Sequence, residues 1–102
     1  MSNDRIEIHF HAAMESADAL DQIAADLENA LNNSYREAMM RLSESWKGTN
    51  ASFYQEKAAA LMEQIQSSVK QIRSGAEEVR RTANRIHKAE LLARTLAEAR
   101  NY

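Results

Sequence analysis

Ala58, Ile65, Ile72, Val79, Ile86 and Ala93 recur every seven residues, and Leu61, Ser68, Gly75, Thr82, Ala89 and Leu96 fill the complementary positions of the same heptad. No proline interrupts them or occurs anywhere in the chain. A heptad sustained this far predicts a long helix whose apolar seam lies against another helix. Met62, Val69, Ala76 and Ala83 add a third row beside the first two. Three rows are wider than a two-stranded seam requires, so each helix is expected to touch more than one neighbour, as in a four-helix bundle. Gly75 sits inside this helix at a cost of about 1 kcal/mol against alanine. With Ser68 and Thr82 one heptad to either side, it reads as a close helix-helix contact.

The first half has the looser form of the same pattern. Ala13, Ala17, Leu20, Ala24, Leu27 and Leu31 step by three and four, Ile23 and Ala30 widen the stripe, and Tyr35, Ala38 and Leu42 continue it. The four-residue step after Leu31 relaxes left-handed supercoiling. Ile6, Ile8 and Phe10 alternate with Glu7 and His9, which predicts a short extended lead-in before the helix.

Between the two stripes stand Trp46, Lys47 and Gly48, holding the only tryptophan and one of two glycines. Ser, Gly, Thr and Asn crowd the stretch from Ser43 to Asn50. Gly48 suits a left-handed helix end, and Thr49 or Asn50 can cap the next helix. So short a connection makes the flanking helices antiparallel neighbours. The expected organisation is all-α, one helical-hairpin domain over 1–102, with helix 1 at about 10–43, a turn at 44–50 and helix 2 at about 51–98. Two helices per chain then imply a dimer, with Leu20, Leu27, Leu31, Met62, Ile65, Val69, Ile72 and Val79 as its interface. The tail from Leu91 to Tyr102 also reads as helical and extends past the first helix.

Charge supports the fold-back. Asp4, Glu7, Glu15, Asp18, Asp21, Asp26 and Glu28 share their stretch with a single base, Arg5, whereas Lys70, Arg73, Arg80, Arg81, Arg85, Lys88 and Arg94 dominate the later helix. An antiparallel hairpin sets these stretches side by side.

The 102 residues fit one domain, and with 44% hydrophobic content, much of it alanine, they make stripes rather than a thick core. The absence of cysteine excludes disulfides and thiolate metal sites. The opening residues mix Asp4, Arg5 and Glu7 into a short apolar run, unlike a Sec-type signal. No run approaches the ~18 apolar residues of a membrane span, so the chain reads as soluble. A formal net charge of -2 and a lack of interleaved aromatics weigh against nucleic acid. The basic run reads instead as a solvated, paired helix face. A nucleic-acid-binding hairpin working through Arg80, Arg81 and Arg85 is the lesser alternative.

No chemistry stands out. There is no Gly-rich phosphate loop, no cysteine nucleophile and no serine in a strand-turn-helix setting. The hairpin brings His87 towards His9 and His11, with Glu7 and Glu90 nearby, but without a recognisable second ligand pair no metal site is expected. No catalytic residue and no cofactor is expected, and the chain is read as a non-enzyme.

A helix, a Trp-x-Gly turn and a second helix in a chain of about this length resemble the WxG family of early-secreted-antigen-like proteins, small substrates of type VII secretion. The resemblance runs from about Ile6 to Glu90. It implies head-to-tail pairing of hairpins into four-helix dimers, with itself, a related WxG-type hairpin or a larger secreted toxin, and recognition by a secretion ATPase. It also implies export by a non-Sec route to the cell surface or exterior. The family's Tyr-x-x-x-Asp/Glu element aligns best with Ile86 to Glu90, where the acid is present as Glu90 and isoleucine replaces the tyrosine. A chain with this half-element is expected to leave with a partner that supplies the rest, as a substrate or co-secreted companion. Trp46, Gly48, Ile86 and Glu90 are the candidate signal residues, and in a head-to-tail dimer Trp46 would approach Glu90 of the other chain. The alternative is a cytoplasmic coiled-coil adaptor or chaperone with no export role.

Overall fold

The computed structural model describes the backbone of residues 2–45 and 48–100, and the side chains of 5–44, 48 and 52–100. Two α-helices account for it: α1, Ser2–Ser45, and α2, Thr49–Arg100. The fold is an antiparallel helical hairpin. By contacts the chain divides into two compact units, each built from both helices: residues 1–21 with 74–102, and residues 22–73.

The second unit contains the turn. Gly48 has φ +92°, and its carbonyl accepts a hydrogen bond from the Ser52 amide at 3.2 Å, an early rung of α2. An L side chain at this φ presses its Cβ on the backbone, which is why glycine stands here. Gly48→Ala has free space around it, so the cost is conformational alone. We expect a loss of about 1–2 kcal/mol, read from urea unfolding midpoints. In the body of this unit Ala24 and Val69 are buried, at 0% and 4% exposure. Glu28 of α1 pairs with Arg73 of α2 at 3.3 Å.

In the first unit the buried residues are Ala17, Ala76 and Ala83. Alanine in these places gives little apolar area, but it allows two helices to approach closely and fill the gap with backbone and Cβ contacts. Glu7 meets His87, and Asp18 and Asp21 meet Arg80, so rising numbers on α1 face falling numbers on α2.

One local expectation is corrected. Ile6 to Phe10 are not an extended lead-in, because α1 is helical from Ser2. The alternation covers only three apolar positions, and the same residues also satisfy a helix. Ile6, Phe10 and Ala13 fall on the inner face, while Ile8 is left outward and 63% exposed. Gly75 makes no close contact with α1, since apart from its own helix backbone a Cβ added there would meet nothing within 4 Å. Helix α2 also starts at Thr49 and continues to Arg100, slightly beyond the expected 51–98.

Candidate interaction surface

The heptad positions of α2 divide into sides with different chemistry. Val69, Ala76 and Ala83 point at α1. At about 100° per residue, the row Arg73, Arg80, His87 and Arg94 stands about 50° to one side of them. The two long heptad rows, Ile65-Ile72-Val79-Ile86 and Leu61-Ser68-Gly75-Thr82, stand about 50° and 100° to the other side.

The first side is closed by charge. Arg80 donates from one guanidinium nitrogen to Asp18 at 2.8 Å and to Asp21 at 2.5 Å, and lies 3.6 Å from Glu77 on its own helix. The hydrogen bond to Asp18, then that to Asp21, raises the Arg80 pKa above its ordinary value. A raised folded-state pKa adds stability that is fully present below the unfolded value and disappears only as strong alkali titrates the folded guanidinium. Across the neutral range this clasp is therefore constant. His87 Nε2 lies 2.8 Å from a Glu7 oxygen, and its ring stacks on Phe10 with centroids 4.3 Å apart. One edge of the imidazole is thus held by a carboxylate and one face by a phenyl ring. Arg94 pairs along its own helix with Glu98 at 3.2 Å.

The second side is apolar and open. Leu61 is 58% exposed, Ile86 51% and Leu96 55%. Ser68, Thr82 and Ala89 are exposed, and Ile65, Ile72 and Val79 are half-buried at the edge of the seam. On α1, Leu20, Leu27 and Leu31 are half-buried and Ile23 is 54% exposed. Of the residues assigned to a dimer interface from sequence, Val69 is taken by α1 of its own chain, and Met62, half-buried, belongs to the same row. The remaining six are half-buried.

Near the turn, a 730 Å³ hollow in the second unit lies between Ala38 and Leu42 of α1 and Tyr54 and Ala58 of α2. Phe53 is 53% exposed there, with the Lys57 ammonium 5.4 Å from its ring centre. This aromatic pair at the start of α2 was missed from sequence, although two adjacent aromatics beside a turn signal it. Trp46, the first residue of the turn motif, lies outside the described residues. Gly48 is at the turn, and Ile86 and Glu90 lie in the first unit, where both line a 260 Å³ hollow with Ile6, His9 and Phe10.

The chain matches no family model, no curated protein and no solved structure. Among the described residues no cluster of three metal-ligating side chains occurs, and no helix is long and apolar enough to cross a membrane.

Proposed function

We propose that this chain is a WxG-type helical hairpin, a non-enzymatic substrate or co-secreted companion of a type VII secretion system, working as a homo- or heterodimer. The observation that carries the reading is the left-handed Gly48 joining two long antiparallel helices directly after Trp46 and Lys47. A Trp-x-Gly motif at the joint of a hairpin is the arrangement in which the resemblance has meaning, since the same three residues inside a helix would carry none. The open apolar side of α2 supports a binding rather than a catalytic role, because a side chain such as Leu61 or Ile86 left in water gains from a partner.

In this reading Trp46 and Gly48 form the recognised turn. Glu90 is the retained half of the late-helix signal, and Ile86 in place of tyrosine makes the partner's own signal necessary. The test is to follow the chain in its native cells with and without the type VII ATPase. The chain is expected in the medium of the first and only in the cells of the second. Equal amounts in both media would remove the export role and leave the cytoplasmic adaptor.

A further inference from the structure

The two heptad rows left open on α2 have a size pattern that one kind of occupant fits. We propose that two copies of this chain pair through α2, antiparallel, about a two-fold axis at Glu77. The inference deepens the dimer part of the reading above and is independent of export.

In an antiparallel helix pair, each residue of one heptad row lies opposite a residue of the other row on the second helix. With the axis at Glu77, Val79 faces Gly75 of the second copy, Ile72 faces Thr82, Ile65 faces Ala89 and Ile86 faces Ser68. At the ends the sizes reverse together, so that Ala58 faces Leu96 and Ala93 faces Leu61. Every layer thus joins a larger and a smaller side chain, from Val79 with Gly75 to Ile72 with Thr82, so no layer sets two of the large residues or two of the smallest together and knobs can enter matching holes. A contact of this type is isologous and closes at two chains.

Other alignments lose this match. Sliding by one heptad in one direction sets Ile86 on Leu61 and Ala58 on Ala89. Sliding in the other direction sets Ile65 on Leu96 and Ala93 on Ser68. A parallel pair in register stacks Gly75 on Gly75 and Ile72 on Ile72, alternating voids with crowding.

The structure leaves room for the occupant. Apart from the adjoining backbone of α2 itself, nothing comes within 4 Å of where a Gly75 Cβ would be, although glycine inside a helix costs about 1 kcal/mol against alanine. A second helix carrying Val79 against Gly75 gives that glycine a use. Leu61, Ile86 and Leu96, all more than half exposed, are covered by the same pairing. The register has one adverse element: Glu78, flanking the seam beside the axis, lies near Glu78 of the second copy.

The test uses the purified full chain and a residue swap. Ser68 and Ile86 are five turns apart on one helix and do not meet within a chain, so coupling between them reports a second copy. Both are exposed in the hairpin, which keeps folding intact, and circular dichroism verifies it. By sedimentation equilibrium, Ser68→Ile overfills its layer and Ile86→Ser empties it, each weakening the dimer by about tenfold or more. The double variant Ser68→Ile with Ile86→Ser restores a large-small layer in reverse, and its dissociation constant is expected within about threefold of wild type. Glu78→Gln, which alters no layer, is expected to tighten the pair at low salt. A wild-type chain that stays monomeric at about 100 µM, or a double variant that shows the sum of the two single losses, overturns the proposal. Neither result bears on whether the chain is exported.

Discussion

Ala24→Asp is expected to destabilise the hairpin by about 3–5 kcal/mol at neutral pH, the cost of a buried charge without a partner. Ala24 is 0% exposed in the contact between the helices. A carboxylate there has no base within one turn on its own helix, and Arg73 of α2, in the same unit, is already held by Glu28. Burial favours the neutral form, so the folded-state pKa of the introduced carboxyl lies above its unfolded value. The penalty is therefore greatest above that range and shrinks as pH falls and the carboxyl protonates. A neutral carboxyl still leaves a buried polar group costing about 1–3 kcal/mol. Urea unfolding at pH 7 and pH 4 checks both the size and the sign. Ala30→Asp, on the exposed face of the same helix, is the control and should stay within about 0.5 kcal/mol. If the two variants behave alike, the alanine contact does not hold the helices together.

Such an effect at an alanine shows what was hard to read in the sequence. The heptads of α2 made the helix and its antiparallel fold-back legible, and the segregated charges located the partners that Arg73 and Arg80 find. The proximity of His87 to Glu7 followed from the same fold-back. The ranking of the rows was not legible. The rows richest in isoleucine and leucine looked like the seam, but the row that faces α1 within the chain is Val69, Ala76 and Ala83. Hydrophobicity marks which residues prefer burial, whereas close helix approach is set by which residues are small, and alanine signals the second only weakly. The residues that looked most like core therefore lie at its edge or outside it. Gly75 was read as a close helix-helix contact, and a small residue in a seam implies a neighbour without saying in which chain.

The lead-in had a different cause. Ile6, Ile8 and Phe10 are too few to fix a period, and no proline or glycine before Ala13 stops the helix from starting early. Phe10 then gains a ring contact with His87 that only the helical form provides at that spacing from Ile6 and Ala13. The turn was legible through composition, because a glycine between two helical stripes is the residue that tolerates φ +92°.

The central claim is that the Trp-x-Gly turn is a recognised signal rather than a structural plug. A plug needs apolar cover, which phenylalanine supplies nearly as well as tryptophan, whereas a recognition anchor depends on the larger indole and its N-H donor. The most direct test is the partition of the chain between culture medium and cells for wild type, Trp46→Phe and Trp46→Ala, with unfolding midpoints measured alongside. We expect Trp46→Ala to lower the exported fraction by about tenfold or more, in keeping with loss of a tryptophan anchor, while most of the folding stability is retained. Trp46→Phe is expected to keep that stability and still export poorly. Equal distribution of all three chains between medium and cells would contradict the account.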